Sequence, residues 1–174
     1  MKYAVTRAGN PTTDLLLDNL PIVNTDLVFS EGALLFVLFV IVLLFLKPET
    51  ISFTLKSIAT FIIVRSIFVT MTHLGPFPGH IITDLNSFRY LTSGSDLFFS
   101  GHVGMPFLLA LLFWRDKRLR IVFIACSIIA SVAVILGHLH YTIDVFSAFF
   151  IAYGVYHISQ HFFKKDHELF LTTH

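Results

Sequence analysis

Five apolar runs, each about as long as a membrane-spanning helix, occupy most of this 174-residue chain. They cover residues 30–46, 51–71, 97–114, 119–137 and 141–163. A helix needs roughly 17 to 25 mainly apolar residues to cross a bilayer. The composition agrees, because 55% of the residues are hydrophobic and only 13% are charged. The sequence therefore predicts an all-α fold, a polytopic membrane helix bundle with about five transmembrane helices.

The charged residues predict how the bundle is oriented. Cytoplasmic loops of membrane proteins are rich in Lys and Arg. Eight of the twelve Lys and Arg residues fall on one predicted side: Lys47, Lys56, Arg115, Lys117, Arg118, Arg120, Lys164 and Lys165. We expect that side to be cytoplasmic. Residues 1–29 are then an exoplasmic or interfacial segment, residues 30–163 the membrane-embedded domain, and residues 164–174 a cytoplasmic tail.

Two ionisable residues stand at a predicted helix end on the opposite, exoplasmic side. His140 and Asp144 are four positions apart, so on a helix their side chains share one face. The carboxylate can then accept a hydrogen bond from one imidazole nitrogen, which leaves the other as a nucleophile. Such a pair in a membrane helix is a functional candidate. The separate His138, His157 and His161 are more readily interpreted as polar residues at the membrane surface.

A second group of residues, on the same predicted side, begins the third apolar run. Ser100 is a good N-cap residue, and the backbone N–H groups that follow it, from Gly101 onward, attract anions. We therefore expect a phosphate group to bind there. His102, in the same turn, is the candidate general acid and base. The 15 residues from Ser100 to Trp114 span about 22 Å, which predicts a site just below the lipid headgroups.

Arg65 lies inside the second apolar run. A cation buried in a membrane is costly unless it is paired. Two interpretations have similar weight: Arg65 binds a phosphate, or it is a structural partner for a neighbouring helix.

Taken together, these motifs resemble the sphingomyelin synthase-like branch of the type-2 phosphatidic acid phosphatase (lipid phosphate phosphatase) superfamily. Residues 96–102, DLFFSGH, resemble the third motif of that family, and residues 140–145, HYTIDV, resemble the fourth. Residues 14–21 and 65–80 resemble the first and second motifs loosely. The resemblance implies a catalytic triad of His102, His140 and Asp144. It also implies that Asp96 is a supporting acid. We expect Asp96, Ser100, Gly101, Arg65 and Tyr141 to contact the substrate.

The chain also departs from this family. Its synthases usually have six spans and a Cys-Gly pair before the third motif, where this chain has five predicted spans and Gly94-Ser95. Transfer to a lipid and hydrolysis by water both stay open. Cations on the exoplasmic side are few, with Lys2, Arg7 and Arg89 besides the intramembrane arginine. A singly charged phosphodiester therefore fits better than a doubly charged phosphate monoester.

The expected function is that of a lipid phosphotransferase in a multi-pass membrane protein, with its active site on the exoplasmic side. The expected partners are a phospholipid donor, a lipid hydroxyl or water as acceptor, and the membrane, with no nucleic acid. We expect no metal or other cofactor, because one histidine supplies the nucleophile and another the acid. A lipid phosphate monoester phosphatase and a non-enzymatic membrane protein are the alternatives.

Overall fold

The structure, a computed structural model, describes residues 12–72 and 98–172. All regular structure within these two ranges is helical. A turn of π-helix, Leu27–Glu31, leads directly into the first long helix, and a short 3-10 turn, Pro48–Thr50, follows it. The helices are α1 (Gly32–Leu46), α2 (Ile51–Met71), α3 (Gly101–Leu112), α4 (Lys117–Leu136), α5 (Thr142–Phe162) and α6 (Lys164–Thr172).

Four helical segments are long and apolar enough to cross a bilayer. They are Leu27–Leu46, Pro48–Met71, Lys117–Leu136 and Thr142–Phe162. Each coincides with one of the predicted spans. Large apolar side chains are exposed on their outer faces, among them Phe45 and Phe150, as expected where lipid rather than water surrounds a protein. The prediction of an all-α polytopic membrane bundle is confirmed.

The third predicted span, residues 97–114, takes a different form. Its helix, α3, has only 12 residues, or about 18 Å, which is less than the roughly 30 Å of a hydrocarbon core. Val103, Leu108 and Leu109 on this helix have no exposed surface. Hydropathy does not separate a helix in lipid from a helix inside a protein, because both are apolar all round. The segment is thus the short central helix of the bundle, packed mainly against α4 and α5.

Close contacts explain how α3 reaches this central position. A Cβ atom on Gly104 would lie 2.7 Å from the ring of Phe61 on α2, so only glycine allows the two helices to approach this closely. On another side, the Ser127 hydroxyl of α4 donates a hydrogen bond of 2.8 Å to the Val103 carbonyl. The start of α3 is therefore held between α2 and α4.

The end of the bundle that carries most of the basic residues is closed by α6. Asp166 accepts hydrogen bonds from Ser52 at 2.5 Å and from Lys56 at 2.7 Å. Phe170 is 2% exposed and packs against Phe113, just beyond the end of α3. Residues 164–172, predicted as part of a tail, therefore form a helix docked beneath the short α3.

Candidate active site

The starts of α3 and α5 meet at the end of the bundle opposite α6. The Ser100 N–H, just before α3, donates a hydrogen bond of 3.1 Å to the Asp144 carbonyl in the first turn of α5. Both residues are fully buried. The structure thus brings together the two sequence motifs that were predicted to share one site.

His140 lies in the turn just before α5 and is close to Asp144 in the first turn of that helix, so the two residues do not share a helix face as was predicted. His140 Nδ1 lies 3.5 Å from Asp144 Oδ2, slightly beyond the usual hydrogen-bond distance. The same carboxylate oxygen accepts a hydrogen bond of 3.1 Å from the Tyr141 N–H, so Asp144 also caps its own helix. Hydrogen bonds at catalytic groups are often long before substrate binds. The pair therefore has the geometry for a carboxylate that orients an imidazole and leaves Nε2 for chemistry.

His102 lies in the first turn of α3 and is partly exposed. Its ring stacks on that of Phe29, with 4.0 Å between the ring centroids. His102 directly follows Gly101, which lies beside Arg65 Nε, and the residue before Gly101 is hydrogen-bonded to Asp144, so His102 and Arg65 lie at the same end of the bundle as the His140–Asp144 pair. The stacking fixes the ring plane, as a general acid requires.

Arg65, on α2, reaches the start of α3. A Cβ atom on Gly101 would lie 3.2 Å from Arg65 Nε, so the guanidinium group passes close to this glycine. Gly101 has no side chain, so the cation can come close to the backbone at the first N–H groups of α3. This position is compatible with both interpretations of Arg65, as a phosphate-binding residue and as a structural partner for a neighbouring helix.

Ser100 and Phe99 form the turn into α3. Phe99 is fully buried and has φ 28°, a left-handed conformation that is strained for residues with a β-carbon. Ser100 has no exposed surface, and its hydroxyl makes no hydrogen bond within the described residues. A buried hydroxyl without a partner is costly. The turn thus carries two unfavourable features at the expected anion site, a pattern typical of functional positions.

Asp14, far away in sequence, binds the start of α5. Its Oδ2 accepts a hydrogen bond of 2.7 Å from the Thr142 N–H, and its Oδ1 accepts one of 2.6 Å from the Thr142 hydroxyl. The neighbouring Thr12 N–H donates to the Tyr141 hydroxyl at 3.2 Å. No local pattern in the sequence indicated a role for Asp14, although this residue begins the segment that loosely resembles the family's first motif.

These contacts shift the pKa of Asp14. Burial raises it, but the hydrogen bonds from the Thr142 hydroxyl and N–H, with those from the N–H groups of Leu17 and Leu16, outweigh burial. The net result is a pKa below the ordinary value, so the group is a carboxylate at neutral pH. The positive end of α5 therefore faces a fixed negative charge.

The remaining expected residues are placed as follows. Tyr141 is 3% exposed and lies between His140 and Thr142 at the start of α5. His138 is equally buried, with φ 51°, so it is not the surface residue that was expected. Asp96 lies outside the described residues. No three His, Cys, Asp or Glu side chains converge as metal ligands in residues 12–72 and 98–172.

Residues 94–162 match a protein-family model described as PAP2 superfamily C-terminal. The matched segment contains α3, α4 and α5 with His102, His140 and Asp144. It supports a relationship to the type-2 phosphatidic acid phosphatase superfamily and, in general terms, a lipid phosphatase- or phosphotransferase-type activity. The match is to the superfamily and not to one branch of it. Comparisons with curated proteins and with solved structures give no match.

Proposed function

We propose that this protein is a lipid phosphotransferase resembling sphingomyelin synthases. It would move a phosphoalcohol headgroup from a glycerophospholipid to a lipid hydroxyl or to water, through a phosphohistidine on His140. The observation that carries the proposal is the cluster at the starts of α3 and α5: the His140–Asp144 pair beside His102, Ser100 and Arg65.

In the first half-reaction, His140 Nε2 attacks the phosphorus atom. A P–N bond forms and the bond to the diacylglycerol oxygen breaks, while His102, which must be protonated in the complex with the anionic phosphodiester, gives its proton to that oxygen. Asp144 holds the other ring nitrogen of His140, 3.5 Å away, and stabilises the positive charge that develops on the imidazole. Diacylglycerol leaves and the headgroup phosphoryl stays on the protein.

In the second half-reaction, His102 is neutral and acts as a base. It takes the proton of an acceptor hydroxyl, whose oxygen attacks the phosphorus, and the P–N bond breaks. His140 regains its electron pair and His102 its proton. A lipid hydroxyl as acceptor gives a new phospholipid, whereas water gives a free phosphoalcohol.

The phosphate would bind at the start of α3. The first backbone N–H groups of a helix and its dipole favour an anion there. Arg65 adds a positive charge beside Gly101, and the buried Ser100 hydroxyl is a donor for a phosphoryl oxygen. These three sources of positive potential act on charge that moves to the phosphoryl oxygens in the transition state.

The distribution of cations favours a phosphodiester over a phosphate monoester. The described ranges contain nine Lys and Arg residues, and Arg65 is the one beside the histidine cluster. The other eight lie toward the opposite end, near the Lys47–Asp116 and Lys56–Asp166 ion pairs. One arginine matches the single charge of a diester. By the positive-inside rule, the same distribution supports an exoplasmic active site.

The proposal is tested by headgroup release from phosphatidylcholine and phosphatidylethanolamine in proteoliposomes, with and without ceramide. We expect His140→Ala to lower the rate by about 10³-fold or more, because the nucleophile is lost. His161→Ala is the matched control, since His161 is exposed in the last turn of α5. This control should keep wild-type turnover.

The products identify the acceptor, lipid or water, and distinguish a phosphotransferase from a phosphate monoester phosphatase. A new phospholipid that requires ceramide supports a transferase, and diacylglycerol with free phosphoalcohol supports hydrolysis by the same chemistry. If phosphatidic acid is turned over instead, with release of inorganic phosphate, the monoester phosphatase alternative replaces the proposal. Lipid turnover that His140→Ala leaves unchanged would refute the catalytic role of His140.

A further inference from the structure

The polypeptide from residue 12 to residue 25, here called the strap, contacts both sides of the turn that carries His140. Before the turn, Val23 N–H donates to the Leu136 carbonyl at 2.9 Å, and the Thr25 hydroxyl donates to the Ala133 carbonyl at 2.9 Å. Beyond the turn, Asp14 binds Thr142. The strap therefore brackets residues 137–141 between the end of α4 and the start of α5.

We propose that Asp14 is a positioning residue for the reaction: it holds the start of α5 so that Asp144 and His140 stay aligned. The inference rests on the proposed function, because it concerns how that active site is kept in register. Asp14 itself does not touch the substrate in this account; it acts through Thr142 and the adjoining backbone.

The geometry of the first turn of α5 supports this role. Asp144 Oδ2 accepts the Tyr141 N–H at 3.1 Å, and Asp14 Oδ2 accepts the next N–H, that of Thr142, at 2.7 Å. Positions 142 and 144 point to nearly opposite sides of a helix. The carboxylates of Asp144 and Asp14 thus accept hydrogen bonds from two consecutive N–H groups, on different sides of the helix. The first of these N–H groups belongs to the residue that follows His140.

The turn needs an external constraint because its own backbone is unfavourable. His138 has φ 51°, which is a strained conformation for a residue with a β-carbon. A Cβ atom on Gly137 would also clash with the Thr25 hydroxyl of the strap, so strap and turn are in close contact there. Strain of this kind persists only where the surroundings impose it.

The first variant is Asp14→Ala, which removes both hydrogen bonds to Thr142. We expect kcat for headgroup release to fall about 10- to 100-fold, because small displacements of a catalytic group have effects of that order. KM for the phospholipid should change less than about threefold, because the proposed phosphate site at the start of α3 is untouched. The rates are expressed per folded molecule, and a melting curve of each variant measures its stability separately.

Four further variants separate positioning from a general loss of stability. Asp18→Asn removes the same charge from the same turn but keeps an oxygen for the Asp14 N–H, so it should leave kcat unchanged. Thr142→Val removes the hydroxyl that bonds Asp14 and should lower kcat. Thr142→Ser keeps this hydroxyl and should have a kcat close to that of the wild type. The double variant Asp14→Ala/Thr142→Val should be little worse than Asp14→Ala alone, because the two residues share one interaction.

The outcomes distinguish this inference from the proposed function. If folded Asp14→Ala has wild-type kcat while His140→Ala is inactive, the positioning role is overturned and the proposed function stands. An effect of Asp14→Ala on melting temperature alone, with unchanged kcat per folded molecule, overturns it equally. If His140→Ala keeps full activity, the proposed function fails whatever Asp14→Ala does.

Discussion

The starts of α3 and α5 are alike in their dipole and different in their surroundings. Each presents backbone N–H groups at the same end of the bundle, where a helix favours negative charge. At α5, two carboxylates already accept these groups, Asp144 from Tyr141 and Asp14 from Thr142. At α3, the neighbours include the guanidinium group of Arg65 and the hydroxyl of Ser100, which makes no hydrogen bond within the described residues.

This difference shows that a helix start alone does not define an anion site. The N–H groups of α5 are occupied by negative charge, so a phosphate would meet repulsion there. At the start of α3, Arg65 adds positive charge near the N–H groups, and the buried Ser100 hydroxyl can donate a hydrogen bond. We therefore expect α3 to hold the phosphate and α5 to hold the nucleophile, and the following predictions test that division.

The largest effect within this comparison is expected from Arg65→Gln. A hydrogen bond to a charged group contributes about 1.5–3 kcal/mol, so kcat/KM should fall roughly 10- to 100-fold. Arg65→Lys should retain only part of the wild-type kcat/KM, because an ammonium group does not have the planar, bidentate geometry of a guanidinium group. The rate of headgroup release measures both.

The matched control is Arg118→Gln, which removes an exposed cation near the start of α4 and should be neutral. Equal losses for Arg65→Gln and Arg118→Gln would show a general effect of charge on membrane binding and not a phosphate site at α3.

A smaller effect is expected from Gly101→Ala. The added Cβ atom would lie 3.2 Å from Arg65 Nε, so the guanidinium must shift by a few tenths of an ångström. We expect kcat/KM to fall about threefold to tenfold, as partial displacement of a charged hydrogen-bond donor implies. Gly154→Ala is the control, because within the described residues no atom beyond its own stretch of helix lies within 4 Å of the added Cβ position. Activity of Gly101→Ala equal to that of Gly154→Ala would argue against a role for this close approach.

The smallest effect concerns stability in acid, at the start of α5. The folded pKa of Asp14 lies below its ordinary value of 3.8, so its contribution to stability is complete above that value and is lost as the pH falls through the folded pKa. Wild type should therefore lose more melting temperature between pH 5 and pH 3 than Asp14→Asn does, because the asparagine does not titrate. Parallel curves for the two proteins would contradict the hydrogen-bonded carboxylate at this position.

Local patterns in the sequence predicted much of this arrangement. Run length and hydropathy identified the four membrane-spanning helices, because a bilayer requires a minimum length of apolar chain. The spacing of His140 and Asp144 predicted their proximity, but not its cause: His140 lies in the turn before α5 and not on a shared helix face. The third run, residues 97–114, was predicted as a span although its helix is short, because apolar residues in a protein core and in lipid look the same.

Contacts between distant segments were not predictable in this way. Asp14 and Thr142 are 128 positions apart, and no periodicity or spacing links them. The stacking of Phe29 on His102 is of the same kind, since the spacing of residues in one segment does not indicate which of its aromatic side chains contacts a histidine in another. Such contacts depend on how the helices pack, which local spacing does not specify.

The most direct test of the account is to find the covalent intermediate. The protein is mixed with phosphatidylcholine labelled in its choline group, quenched at alkaline pH to preserve an acid-labile P–N bond, and its peptides are analysed by mass spectrometry. We predict labelled phosphocholine on His140, present in His161→Ala and absent in His140→Ala. Label on His102, or full turnover with no labelled histidine, would contradict the division of roles between α5 and α3.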